Sequence, residues 1–174
     1  MDKLEQYVRS VPDFPKKGIN FYDITTLIQH EVGYNKTIDK MTEFAKSKNA
    51  EKIVAIESRG FVFGGAMADR LNLGLITIRK PGKLPSEKIS EEYSLEYGTD
   101  TLEMHVDAVK SGEKVVIVDD LIATGGTIKA ACNLVERVGG EVVGVSAVIE
   151  LSFLPWRKIL KNYDINYLIS YDSE

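Results

Sequence analysis

The sequence predicts an α/β domain with helices flanking a central, mostly parallel sheet, and three observations carry that expectation. Short β-branched apolar runs recur at Lys52–Glu57, Gly74–Ile78, Lys114–Asp119, Val142–Ile149 and Ile165–Ile169. Segments of helical period separate several of them, as in strand–helix–strand crossovers. The run at 114–119 ends in two acidic residues and a glycine-rich turn, and open α/β sheets bind ligands at such carboxyl ends.

The elements follow in order. Leu4, Tyr7, Val8 and Val11 keep helical spacing and predict a short amphipathic helix, which the turn-rich Pro12-Asp13-Phe14-Pro15-Lys16-Lys17-Gly18 ends. Tyr34, Ile38, Met41 and Ala45 mark a second helix and Phe61–Leu71 a third. From Arg79 to about Met104 the chain holds Pro81, Gly82, Pro85 and many charges with little period. Ser94–Tyr97 and Thr101–Val106 are expected there as strands of a hairpin, and so long a polar excursion is more often functional than idle. Ile128, Ala131, Cys132, Val135 and Val138 line one helix face, stopped by Gly139-Gly140. A short helix is expected near Pro155–Leu160.

With 174 residues, 44% hydrophobic and 28% charged, the chain fits one globular domain, residues 1–174, with no internal repeat. Twenty-two basic against 26 acidic residues leave a net charge of −4, which argues against a nucleic-acid partner. The positive charge is grouped instead: Arg79–Lys88 carries four basic residues and one acidic. The single cysteine, Cys132, forbids an intramolecular disulfide and suits a reducing, cytoplasmic setting. The start Met1-Asp2-Lys3-Leu4-Glu5-Gln6 has no apolar signal region, and the longest apolar stretches are too short to span a bilayer, so no membrane partner is expected.

The strongest chemical signal is Val115-Val116-Ile117-Val118-Asp119-Asp120-Leu121-Ile122-Ala123-Thr124-Gly125-Gly126-Thr127. Small residues let a ligand approach the backbone of Ala123–Thr127, and the free N–H groups of the helix start can surround a phosphate, helped by the helix dipole. Thr124 and Thr127 add hydroxyl donors. Asp119 and Asp120 would repel phosphate; they suit vicinal sugar hydroxyls or a divalent cation. Elsewhere, Glu57-Ser58-Arg59-Gly60 follows a strand and offers the planar guanidinium of Arg59 to a phosphate. Arg79-Lys80-Pro81-Gly82-Lys83 gathers three cations around a turn. His30 and His105 lack metal-ligand spacing, and Cys132 sits on an apolar helix face as a small buried residue.

The 115–127 run resembles the phosphoribosyl-pyrophosphate motif of the type I phosphoribosyltransferases. With Pro12-Asp13-Phe14-Pro15, Gly18–Thr25, Glu57–Phe61, the basic turn and Ser94-Leu95-Glu96-Tyr97-Gly98, the chain resembles the adenine branch of that family from about residue 7 to 150. The resemblance implies a fold with a small N-terminal hood (about 1–32) and a flexible catalytic loop (about 79–104). It implies transfer of phosphoribose from phosphoribosyl pyrophosphate to adenine, giving AMP and pyrophosphate, in a cytoplasmic homodimer. It implies 5′-phosphate on Ala123, Thr124, Gly125, Gly126 and Thr127, and ribose on Asp119 and Asp120. Pyrophosphate falls to Ser58, Arg59, Arg79, Lys80 and Lys83, some of them from a neighbouring subunit. Adenine falls to Asn20, Phe21, Tyr22 and Leu121, with Phe21 and Leu121 sandwiching the base and backbone groups of Asn20 and Tyr22 reading its edge. Mg2+ arrives with phosphoribosyl pyrophosphate near Asp119 and Asp120, with no dedicated protein site. Glu96, Arg59 and Tyr97 form the implied catalytic set, with Glu96 as general acid/base near the imidazole nitrogens of adenine. A cis peptide is implied at Glu57–Ser58. Tyr22 stands where many members carry Arg, and 151–174 matches no signature.

Two alternatives compete. A phosphoribosyltransferase for xanthine, guanine or hypoxanthine shares much of the pattern, but Glu57–Gly60 and Ser94–Gly98 favour adenine. A nucleic-acid-binding regulator would need a basic face or an added helix-turn-helix, and neither is evident.

Overall fold

The structure, a computed structural model, describes residues 3–94 and 98–173. After one turn of 3-10 helix at Leu4–Tyr7 come β1 (Arg9–Pro12), β2 (Asn20–Asp23), α1 (Thr25–Gln29) and α2 (Glu31–Ser47). Then follow β3 (Lys52–Ile56), α3 (Gly60–Leu71), β4 (Gly74–Ile78), β5 (Lys88–Ser94) and β6 (Thr99–His105). The chain continues through β7 (Lys114–Ile122), α4 (Gly126–Arg137), β8 (Glu141–Leu151), α5 (Trp156–Ile159) and β9 (Ile165–Tyr171).

Five strands form the central sheet in the order β4-β3-β7-β8-β9, every neighbouring pair parallel. Both faces are covered, which is why β7 reads as a continuous apolar run rather than an alternation. Val115 and Ile117 pack with Ile128, Cys132 and Val135 of α4 and with Leu102 and Met104 of β6. Val116 and Val118 face the other way, against Ile38 and Met41 of α2 and Phe63 and Met67 of α3. From β3 the chain crosses to β4 on one side, and from β7 to β8 on the other. The carboxyl ends of β3 and β7 therefore flank the switch point of the sheet, the crevice where this architecture binds ligands.

Two small antiparallel pairs stand outside the sheet. β1 and β2 pair through Val11↔Phe21 and Ser10↔Tyr22, and form the hood. β5 and β6 pair over their full lengths and pack on α4.

The opening helix is corrected to a single turn. Leu4 enters the core, but Val11 belongs to a strand whose partner, Phe21, lies ten residues further on and leaves no trace in local period. The excursion does form a hairpin, with Lys88–Ser94 as its first strand; all of the expected Ser94–Tyr97 strand except Ser94 lies outside the described residues. Its alternation is masked because Glu91 takes an inward position, where Asn133 donates at 2.8 Å and Arg137 at 2.9 Å from α4. Strands β3, β4, β6, β7, β8 and β9 and the helices α2, α3 and α4 lie where the sequence places them, within a few residues at each end, whereas β2 and α1 were not foreseen.

Candidate active site

Two turns at the crevice set the site. In the β7–α4 turn, Gly125 precedes the helix at φ 87°, left-handed backbone that glycine adopts without penalty. A Cβ there would also lie 3.2 Å from the Cβ of Trp156. The first N–H groups of α4 have no partners within the helix. In the β3–α3 turn the Glu57–Ser58 peptide is cis, as the resemblance implies. Gly60 opens α3 so close to β7 that a Cβ would sit 2.9 Å from the Val118 carbonyl oxygen and 3.2 Å from Oδ1 of Asp119.

Between these turns lies a cavity of about 370 Å³ whose lining includes Ser58, Arg59, Lys80, Asp119, Asp120, Leu121, Ala123, Thr124, Gly125 and Thr127. Gly126 is not part of that lining; a Cβ on it would come within 3.0 Å of the Ser94 carbonyl oxygen, against the hairpin. Arg59 Nε donates to Oδ2 of Asp120 at 2.5 Å. Asp119 is buried, and burial with the adjacent Asp120 charge pushes its carboxyl well above the ordinary range.

A second cavity of about 350 Å³ lies under the hood, lined by Val11, Phe14, Phe21, Tyr22, Asp23, Ile24, Thr25 and Arg59. Arg59 borders both cavities, so they adjoin. Of the four adenine candidates, Phe21 and Tyr22 line the hood cavity, and Leu121 lines the neighbouring one. Asn20 lines neither, and its side-chain oxygen accepts from Ser10 Oγ at 2.6 Å. Among the described residues β2 pairs with β1 alone, so its other edge offers backbone groups with no strand partner there. Asp23 is fixed by Thr25 and by Arg9, whose hydrogen bonds hold its carboxyl at about 2.

The basic turn is not loose. Glu57 accepts from the Lys80 backbone N–H at 2.9 Å, from Arg79 Nε at 3.3 Å and from Lys83. Burial raises the Glu57 carboxyl, but these donors outweigh it and hold it at about 2. Lys80 donates to Asp100 and, at 2.9 Å, to the Tyr93 hydroxyl. Burial pulls the Lys80 ammonium down; its partners overcome that and keep it above its ordinary value. Lys80 reaches the main cavity, whereas Arg79 and Lys83 lie beside it, bound to Glu57. Glu96 and Tyr97 lie outside the described residues.

Sequence reasoning gave no role to Glu57, although it quoted the residue, and missed Tyr93 and Asp100, which line the main cavity. No local signal marks the last two: they meet because β5 and β6 pair them directly.

A glycine-opened helix start, two carboxylates and an adjoining apolar pocket bordered by Arg59 thus meet at the switch point of the sheet. A family model for the phosphoribosyl transferase domain matches residues 31–162, and the chain belongs to that family. Its relatives fall in the adenine branch. It is 55% identical to the adenine phosphoribosyltransferase of Koribacter versatilis over 98% of this chain and 94% of that one. The crystal structure of the adenine phosphoribosyltransferase from Thermoanaerobacter pseudethanolicus superposes with a TM-score of 0.92 at 49% identity, covering 97% of this chain and 98% of that one. The Saccharomyces cerevisiae adenine phosphoribosyltransferase, solved with an imino-altritol bisphosphate and adenine, superposes at 0.90 with 37% identity over 95% and 96% of the two chains.

Proposed function

We infer that this chain transfers the 5-phosphoribosyl group from phosphoribosyl pyrophosphate to adenine, giving AMP and pyrophosphate in purine salvage. The observation that carries the reading is the pair of adjoining cavities that share Arg59, one built for phosphate and ribose and the other for a flat apolar base.

In this reading the α4 start, Ala123–Thr127, grips the 5′-phosphate, and Asp119 and Asp120 take the ribose hydroxyls. Loss of pyrophosphate leaves a ribosyl centre with oxocarbenium character, the charge development of glycoside cleavage. Adenine is itself the nucleophile, so the protein positions, stabilises charge and excludes water. Ser58, Arg59 and Lys80 meet the pyrophosphate. Arg79 and Lys83, held beside the cavity, serve a neighbouring subunit's site in a homodimer. Phe21 covers one face of adenine and Leu121 approaches from the ribose side, while backbone groups near Asn20 and Tyr22 read N1 and the amino group. A 6-oxo purine reverses that donor and acceptor pattern and is rejected.

Glu96, beside Tyr97, takes the N9 proton of adenine when the excursion closes. Leu102 and Met104 are fully buried, so closing has to leave the base of the hairpin in place. Magnesium fits the donor set, because Asp119 and Asp120 offer hard oxygen ligands side by side, and a cation there would offset the burial and the adjacent Asp120 charge that together raise Asp119. Bound with phosphoribosyl pyrophosphate, it would neutralise charge on the leaving group. We place the reaction in the cytoplasm, where purine salvage operates.

The test offers adenine, hypoxanthine, guanine and xanthine separately with phosphoribosyl pyrophosphate and magnesium, and measures nucleotide. AMP with little IMP, GMP or XMP is expected; a preference for xanthine or guanine overturns the reading.

A further inference from the structure

The hood is a two-stranded ribbon, and such ribbons are marginal on their own in water. Something in the body of the domain has to fix it if Phe21 is to stay over the hood cavity. Of the two aromatic residues of β2, Phe21 is exposed and Tyr22 packs against the core cluster on the α2–α3 side of the sheet. Its ring stacks on Tyr171 with centroids 3.6 Å apart and planes 8° from parallel. Its hydroxyl donates to the Ser173 carbonyl oxygen at 3.0 Å.

Tyr171 is itself a firm post. It ends β9, where it pairs with Leu151 of β8. Its carbonyl oxygen accepts from the Ser152 backbone N–H at 2.8 Å and from Ser152 Oγ at 3.1 Å. Burial, with the neighbouring Tyr22 and Glu5, pushes its hydroxyl up to about 12, so the ring stays uncharged through any ordinary assay. A rigid line thus runs from the central sheet through Tyr171 to Tyr22. The next residue back along β2, Phe21, lines the cavity and meets Phe14 edge-on at 5.2 Å.

We propose that Tyr171 is a positioning residue for the base. By stacking on Tyr22 it fixes the height and tilt of the hood over the purine pocket, so the carboxyl end of the chain tunes affinity for the base without touching it. This rests on the function proposed above. The phosphate and ribose groups of β7 and α4 lie on other elements and are not part of this line.

The experiment measures steady-state KM for adenine and for phosphoribosyl pyrophosphate, with kcat, in Tyr171→Ala, Tyr171→Leu and Tyr171→Phe. Loss of an aromatic pair predicts roughly a two- to ten-fold rise in KM for adenine in the Ala variant. KM for phosphoribosyl pyrophosphate is expected to stay within about two-fold. Tyr171→Phe keeps the ring and is expected to match the wild type. Tyr171→Leu keeps apolar volume without the stack; it is expected to follow the Ala variant, and it carries the test if that variant does not fold. A fall in kcat with both KM values unchanged, or an equal rise in both, would mean a merely structural role and overturn the proposal. A wild-type chain that forms no AMP overturns the proposed function instead, which separates the two failures.

Discussion

Gly60→Ala tests how tightly the two turns of the site are fitted together. The added Cβ would lie 2.9 Å from the Val118 carbonyl oxygen. Carbon–oxygen contacts ordinarily begin near about 3.3 Å, so one side must retreat by roughly 0.4 Å. Val118 is held in the ladder on both sides, by Ala55 and by Ser146, so the start of α3 has to move. Overpacking of this kind costs about 1–3 kcal/mol. For a domain of this size that lowers Tm by roughly 2–10 °C. The shift also carries Arg59, which immediately precedes α3 and binds Asp120, so activity should fall more than stability alone explains. Gly65, in the same helix, has nothing within 4 Å of its Cβ position. Gly65→Ala should therefore stabilise by roughly 0.5–1 kcal/mol through helix propensity. Thermal melts by circular dichroism, with AMP formation assayed beside them, decide it. A Gly60→Ala protein that melts within 1 °C of wild type, on the order of measurement error, would refute the close-packing argument.

Three further outcomes are expected. Glu96→Leu should lower turnover with adenine by roughly ten- to ten-thousand-fold, the range of acid–base contributions; unchanged turnover removes Glu96 from the chemistry. Gly125→Ala places a side chain on left-handed backbone against Trp156 and should raise KM for phosphoribosyl pyrophosphate while leaving KM for adenine nearly constant; the opposite split would put the 5′-phosphate elsewhere. The Glu57 carboxyl, held at about 2 against an ordinary 4.5, binds fewer protons folded than unfolded below neutrality. Its stabilisation is complete above pH 4.5 and is lost as pH falls towards 2, so melts of wild type and Glu57→Gln should converge over that interval; parallel curves would show that Glu57 does not hold the basic turn.

The sheet was legible because its inner strands β3, β7 and β8 are buried on both faces, and helices with an apolar stripe follow β3 and β7. The β7–α4 turn was legible for a different reason: strand, carboxylates, small-residue loop and helix start are contiguous, so one stretch of chain carries the whole local geometry. Features made by distant pairing were not. Tyr93 and Asp100 become neighbours across a hairpin, Glu57 gathers Arg79, Lys80 and Lys83 from beyond an intervening helix and strand, and Val11 finds Phe21 across a turn. The local excess of positive charge at Arg79–Lys88 was visible, but not that three of its cations are engaged by Glu57 and Asp100. The last 24 residues carried no motif. Folded, they place Trp156 behind Gly125 with its indole N–H on buried Glu150 at 2.7 Å, and Tyr171 beneath the hood. Their contribution is packing against the β7–α4 turn and against strand β2 of the hood, neither of which they adjoin in sequence.

The most direct test is a crystal structure of the protein with AMP bound. The 5′-phosphate is expected on the backbone of Ala123–Thr127, the ribose hydroxyls on Asp119 and Asp120, and the adenine under the hood against Phe21. A phosphate seated on Arg79 and Lys83, or a base outside the cavity bordered by Phe21 and Arg59, would contradict this arrangement.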